Sequence, residues 1–407
     1  MHSFCFLLLS FGSIASLNAA EGNLAQPTNS VVLVPGILFS ETNPEQTREQ
    51  QRKYWGHLLE SMKLNGGGCQ YLVEVHGNDV SVELIHQSDQ GANIYTVVFS
   101  PEASLDGLAY RSIELNQALH EICRIESAPI TIVGHSAGGL LARIILQEAI
   151  PGIKQPMQVD HLVTIATPHH GAAMADNFAK LVGARAESLM TTSPLIQRIN
   201  SLPLPKNVHF TSIIVNSFGL EGGKPGNAYV LPFDSEIQTT VPRQFLFGGD
   251  EVVHSISQNL AFTESGAIRQ RETSDAVRSL VVRCPLRKAD AGLLSGLVST
   301  QTLHSNVLCL DDFCTLVSRV SLGQLSPREF KEYEAKCVVQ STIESQIKGR
   351  NPLSEVVDVR INSIDLKEQS IDYDVTAKWK RFTTQEEVIT GTIDVTTHPV
   401  LNTFVVQ

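Results

Sequence analysis

The stretch "TIVGHSAGG", residues 131–139, decides how the rest of the chain is read. Ile130, Ile132 and Val133 form a short apolar run leading into it, and Leu140, Leu141, Ile144 and Ile145 recur at helical spacing after it. The order is therefore strand, sharp turn, helix, with Ser136 at the corner between Gly134 and Gly138. Glycine has no Cβ to clash where a strand folds back into a helix, so the serine that follows His135 projects from the bend. The helix start aims unpaired N–H groups, and the positive end of its dipole, at any charge that forms beside the serine. These are the requirements of a nucleophile attacking a carbonyl. A coincidental G-x-S-x-G in a chain with 28 glycines is the plainer alternative. The strand before and the helix after weigh against it.

A chain of 407 residues with 42% hydrophobic content can bury a large core, and its length suits one big domain plus a small one, or two. The net charge of −11 argues against a nucleic-acid partner and offers no basic patch for anionic lipid. Any contact with a lipid interface is then transient and made through apolar surface, and the oligomeric state is left open. The opening "MHSFCFLLLSFGSIASLNAA" has an apolar stretch followed by small residues, which predicts a signal peptide over 1–20, cleaved near Ala19 or Ala20, and a secreted or periplasmic protein. Its n-region lacks Lys and Arg. An uncleaved anchor is the alternative, opposed by an apolar run shorter than the roughly 20 residues that span a bilayer. With Cys5 removed, six cysteines remain, and Cys309 and Cys314 are near enough in sequence to close a small loop. Free buried thiols are the competing reading.

Further β-like runs occur at 31–38, 71–77, 93–100, 161–167, 209–217 and 243–250, with helical patterns between several of them at about 46–64, 105–125, 139–149 and 172–200. Strands alternating with helices predict a mostly parallel sheet covered on both faces, with the ligand beyond the carboxyl ends of the strands. The stretch from Ala172 to Pro205 is read either as an ordinary helix pair or as a lid-like cap over the site, and 218–240 as a surface excursion. From about 320 the texture changes. Ser326-Pro327-Arg328-Glu329 is a capping box opening a helix that fades near Gly349. Three alternating stripes follow, on Val357, Val359 and Ile361, on Tyr373, Val375, Ala377 and Trp379, and on Ile389, Ile393 and Val395. They predict an antiparallel meander within a small α+β module over 321–407, appended to a domain over 21–320.

A serine hydroxyl needs an imidazole to take its proton and a carboxylate to hold that imidazole in the right tautomer. In this kind of sheet the order along the chain is Ser, then Asp or Glu, then His. Asp250 in "FLFGGDEVV" follows an apolar strand and a glycine pair, with Glu251 as its rival and a plain turn residue as the alternative. Beyond it come only His254, His304 and His398. His254 is tied to the same turn, and His398 stands at the end of the appended module. His304 lies in a Ser/Thr/Asn-rich stretch of loop character and is the preferred base, against the reading of a surface histidine. Two backbone donors are needed for the oxyanion, and the candidates are the N–H of Ala137 and that of Ile37, after Pro35-Gly36.

Taken together, "VVLVPGIL", "GHSAGG", "TIATPHHGAAMAD" and "GGDEVVHSIS" resemble, in order and context, the secreted α/β-hydrolase lipases of the bacterial triacylglycerol lipase type, over roughly residues 30–310. The resemblance implies a carboxylic ester hydrolase acting on a lipid or other ester, with Ser136 as nucleophile, Asp250 as orienting acid, His304 as base, and Ile37 and Ala137 as oxyanion donors. It implies that 167–176 leads into a lid. The family commonly has His-Gly where this chain has Pro35-Gly36, a variant similar to acyltransferase-type and lipid-remodelling hydrolases, and its calcium site has no counterpart here. No metal and no cofactor is expected. Acyl transfer or thioester cleavage by the same residues is a second reading, and an inactive scaffold that binds through the C-terminal meander a third.

Overall fold

The computed structural model describes residues 29–36, 44–100, 107–172, 175, 187–216, 253, 255–260, 277–283, 304, 307–326, 329–330, 332–333, 339, 355–365, 370–380 and 384–394. The expectations for 1–20, 218–240, the strand at 243–250, most of 173–186 and the greater part of 327–349 lie outside these residues.

A run of apolar residues with no polar face suits only a strand covered on both sides, and "SVVLV" is such a run. Ser30–Val34 (β1) is buried at every position. Pro44–Lys53 (α1), Gly56–Leu64 (α2), Gly67–His76 (β2), Asp79–His86 (β3), Ala92–Val98 (β4), Leu108–Ile125 (α3) and Ile130–His135 (β5) follow it. Ala137–Leu146 (α4), Val159–Ile165 (β6), Pro194–Ser201 (α5), His209–Asn216 (β7), Ser255–Gln258 (α6), Val277–Arg283 (β8) and Asp311–Ser321 (α7) complete the larger part. The first eight strands make one sheet in the order β3-β2-β4-β1-β5-β6-β7-β8. Every pairing is parallel except that of β2 with the edge strand β3.

The two-residue period of the strands divides the core into two layers. Val32 and Val34 of β1 face α3 and α4, in a cluster with Leu115, Leu119, Leu141 and Ile144. Val31 and Leu33 face the other way, toward Trp55, Leu58 and Met62 around α2 and Phe313 and Val317 of α7. Each buried Val, Leu or Ile stabilises the fold by roughly 1.5–3 kcal/mol relative to exposure, so the sheet centre is the least yielding part of the molecule. The site is built on two of its central strands. β1 and β5 are neighbours with Val34 paired to Gly134, so their carboxyl ends finish side by side.

Two strands escape the sequence reading. β3, "DVSVELIH", is exposed at most positions, because as an edge strand it has one neighbour and little cover. β8 is a short run between segments with no clear pattern. The helical pattern at 46–64 is two helices, α1 and α2, interrupted at Tyr54 and Trp55.

Glu355–Asp365 (β9), Ser370–Lys380 (β10) and Thr384–Asp394 (β11) form a separate antiparallel sheet in the order β11-β10-β9. Val375 pairs with Val359 on one side and Ile389 on the other, so residues from the three expected stripes share one register. Tyr373 and Val375 are buried. The capping box forms: Ser326 Oγ donates to Glu329 Oε2 at 2.8 Å, and the Glu329 N–H donates to Ser326 Oγ at 3.2 Å. The Cys309 to Cys314 loop is not closed. Both are free thiols, Cys309 exposed and Cys314 buried in the first turn of α7, where its Sγ donates to the Leu308 carbonyl at 3.2 Å. Cys69 and Cys123 are also free.

Candidate active site

Ser136 terminates β5 with φ 53° and ψ −128°, a backbone conformation that costs a non-glycine residue roughly 1–3 kcal/mol. The surrounding backbone holds it there. The Ser136 N–H donates to the Ile165 carbonyl of β6 at 2.8 Å, and its own carbonyl accepts from the Gly139 N–H at 3.2 Å. A Cβ on Gly134 would lie 2.5 Å from the Gly139 nitrogen. One on Gly138 would run into the Val34 carbonyl and come within 2.8 Å of that of Pro35. The two glycines therefore let the start of α4 press against the ends of β5 and β1, and Ala137 opens that helix beside the serine.

His304 comes from 168 residues further along, and its Nε2 stands 2.7 Å from Ser136 Oγ. It is buried, and a turn at Val307–Cys309 carries the chain from it into α7. Phe313, Leu316 and Val317 of α7 then pack in the layer that holds Leu58 and Met62 of α2. The imidazole thus stands shortly before a helix anchored in the core.

His135, the residue before the serine, is buried among rings. Its centroid lies 5.0 Å from that of His304, 5.7 Å from Tyr54 and 6.5 Å from Trp55. Burial holds its pKa well below the ordinary imidazole range; the nearby His304 charge acts in the same direction, and the His304 backbone partly offsets it. Burial likewise pushes the Tyr54 phenol up, against the opposing pull of the Gly36 N–H and Arg111. Both side chains are neutral at pH 7.

The end of β1 is gripped from two sides. The Gly36 N–H donates to Tyr54 Oη at 3.3 Å, Tyr54 Oη sits 2.5 Å from His135 Nδ1, and Arg111 donates to the Gly36 carbonyl at 3.3 Å. The Arg111 guanidinium also lies over the Phe99 ring, 5.3 Å from its centroid. A Cβ on Gly36 would fall 2.8 Å from Ser136 Cβ and 3.0 Å from Tyr54 Oη, so the turn touches the serine itself.

The segment "TPHHG" turns inward. His169 meets Thr164 Oγ1 at 3.1 Å and Arg143 at 3.3 Å, while Arg143 also donates to the Ile199 carbonyl and to Asn200 Oδ1. These side chains tie α4 and α5 to the end of β6, a scaffolding task. α6 is fastened to the same loop, since the His169 N–H donates to the Ser257 carbonyl at 2.7 Å. Gln258 bridges Val215, at the end of β7, to the carbonyl of Val253.

Of the residues singled out in the sequence, Ser136 and His304 meet, and Gly134, His135, Ala137 and Gly138 surround the serine. Ile37, Asp250, Glu251 and His254 lie outside the described residues. Tyr54 and Arg111 were not anticipated: no motif marks them, and Tyr54 reads in the sequence as one more residue of a helical pattern. Among the described residues no group of His, Cys, Asp and Glu could hold a metal ion, and no helix is long and apolar enough to cross a membrane.

Residues 31–214 match the family model of the PGAP1-like alpha/beta domain. The fold, a mostly parallel eight-stranded sheet with helices, is α/β-hydrolase-like. The matched part contains Ser136 and ends before Asp250 and His304. No curated protein matches the chain in sequence. Among solved structures, the lin2722 product of Listeria innocua is 14% identical, with 74% of this chain and 97% of that one covered and a TM-score of 0.43. The phospholipase PlaB of Legionella pneumophila is also 14% identical, over 89% of this chain and 68% of that one, with a TM-score of 0.43. The mature lipase BlEst2 of Bacillus licheniformis is 15% identical over 58% and 82% respectively, with a TM-score of 0.36.

Proposed function

We propose that the chain is an exported serine hydrolase of carboxylic esters, lipid acyl esters in particular, that works through an acyl-enzyme on Ser136. The observation that carries this reading is the 2.7 Å approach of His304 Nε2 to Ser136 Oγ at a strained corner facing a helix start. In the reaction, Oγ attacks the ester carbonyl carbon as His304 Nε2 takes its proton; the same proton then passes to the departing alcohol oxygen, leaving Ser136 acylated. Water, giving a proton to His304 Nε2, attacks the acyl carbon; the C–Oγ bond then breaks, His304 returns the proton to Ser136 Oγ, and the acid leaves.

With Nε2 accepting, His304 carries its own hydrogen on Nδ1, which a carboxylate must hold. Asp250 is the proposed partner. In support, the chain just beyond it is tied through Gln258 to Val215, at the end of β7 on the site side of the sheet. The Ala137 and Ile37 N–H groups are the proposed oxyanion donors, the second continuing the turn that touches Ser136. The reading keeps the lid over about 172–205 and a separate module from about 321, and it keeps export on the composition of residues 1–20, for which N-terminal sequencing of the mature protein should find Ala20 or Glu21 first.

The decisive experiment replaces Ser136 with Ala and, separately, His304 with Ala. Both variants should lose turnover of a nitrophenyl ester, and Ser136→Ala should lose labelling by a fluorophosphonate. Labelling of Ser136→Ala at the wild-type rate overturns the proposal.

A further inference from the structure

One hydroxyl in the structure does two things at once, and its chemistry fixes the direction of both. Tyr54 Oη has a single hydrogen. The Gly36 N–H can only donate, so at that contact the phenol accepts. Its own hydrogen is then directed to the other polar atom within reach, His135 Nδ1 at 2.5 Å, which must present a lone pair. In that arrangement His135 is the neutral ring with its hydrogen on Nε2, the tautomer that lets the phenol serve both partners.

The two partners belong to different parts of the site. Gly36 lies two residues beyond β1 and begins the turn proposed to supply an oxyanion donor. His135 is the residue immediately before Ser136. Resting on the ester-hydrolase reading above, we infer that Tyr54 is a positioning residue that spaces the oxyanion turn from the nucleophile through the chain Gly36 N–H, Tyr54 O–H, His135 Nδ1.

Three further observations bear on it. Among the described residues the ladder between β1 and β5 finishes at the Val34 and Gly134 pair, short of both Gly36 and His135. The spacing leaves no slack: the site of a Cβ on Gly36 is already 2.8 Å from Ser136 Cβ and 3.0 Å from the phenol oxygen. And taking up the Gly36 N–H removes it from competition for the substrate oxygen. Arg111 donates to the Gly36 carbonyl, which belongs to the next peptide unit, so the two peptides flanking the Gly36 Cα are each held by a side chain.

The test is Tyr54→Phe, which keeps the ring in its pocket beside Trp55 and His135 and deletes only the hydroxyl. Enzyme is counted by fluorophosphonate titration, so rates are per competent site and a change in folded fraction cancels. Displacing a catalytic group by a fraction of an ångström to 1 Å costs up to about 100-fold. The expected result is a fall in kcat of about 10- to 100-fold with KM within about threefold of wild type. Affinity for a trifluoromethyl ketone that forms a tetrahedral adduct on Ser136 should fall by the same factor as kcat/KM.

A second pair of variants asks whether the effect passes through His135. His135→Asn offers an amide oxygen to the Tyr54 hydroxyl where Nδ1 stood, and His135→Leu offers nothing. Asn should recover most of the kcat that Leu loses. Wild-type kcat in Tyr54→Phe, or equal losses in the Asn and Leu variants, overturns the inference. Either result, obtained while Ser136→Ala is dead, leaves the ester-hydrolase reading standing; activity in Ser136→Ala would sink that reading instead.

Discussion

The strained corner at Ser136 makes a quantitative statement about stability that is separate from catalysis. At φ 53° and ψ −128° any residue with a Cβ is strained by roughly 1–3 kcal/mol, and glycine is not. Ser136→Ala removes the hydroxyl and its contact with His304 but keeps the strain. Ser136→Gly removes the same group and the strain together. Against that gain, glycine gives the unfolded chain extra freedom worth roughly 0.5–1 kcal/mol. The midpoints of the two ranges, about 2 and about 0.75 kcal/mol, leave a glycine variant more stable than the alanine variant by about 1 kcal/mol. At about 2.1 cal/mol/K of unfolding entropy per residue, 407 residues convert each kcal/mol into about 1 °C. Paired calorimetric scans should therefore put the Gly variant about 1–2 °C above the Ala variant, with both inactive. A Gly variant that melts at or below Ala would mean that the corner is not strained, and the argument for a serine forced outward by the backbone would fail.

Other outcomes follow from residues near or beneath the site. Gly36→Ala drives a methyl group against Ser136 Cβ and Tyr54 Oη; kcat/KM should fall about 10-fold or more, and a variant with full activity would show that the turn gives way freely. Burial pushes His161, whose Nε2 meets Thr211 Oγ1 at 2.9 Å, down to about 4. The unfolded chain then binds the extra proton as pH falls from about 6.5 toward 4, so this group's stabilisation is present above about pH 6.5 and lost below it. Its share of the loss between pH 7.5 and pH 5 is about 2 kcal/mol; denaturation of His161→Gln at the two pH values should show a drop smaller by that amount, and parallel curves would refute it. Glu126 accepts hydrogen bonds from Ser30, Asn93 and Tyr95 at the opposite end of the sheet. Glu126→Leu should destabilise by about 2–4 kcal/mol without changing kcat per competent site.

How much of this was legible in the sequence depends on whether a residue's task is local. The corner at Ser136 was legible because the glycines on either side and the apolar runs before and after it are all within a dozen residues. β1, β5 and β6 were legible because strands covered on both faces need unbroken apolar runs. β3 was not, since an exposed edge strand needs no such run, and the break at Tyr54 and Trp55 was not, since both residues fit the helical pattern on either side of it. His304 was reached by elimination from chain order, and its contact with Ser136 depends on α7 packing against α2, which nothing in the sequence near residue 304 encodes. Tyr54 lies furthest from legibility: its role arises only when the ends of β1 and β5 meet, an event set by the strand order of the whole sheet.

α2 and α7 share one layer of the core, and each is preceded by a residue of the proposed site, Tyr54 two residues before α2 and His304 seven residues before α7. If that helix pair loosens on warming, proton acceptor and turn brace depart in a single event while the central strands are still intact. On the proposed ester-hydrolase reading, heat should therefore abolish turnover ahead of the main melting transition, and substrate analogues that bridge Ser136 and His304 should delay that loss more than they delay the melt.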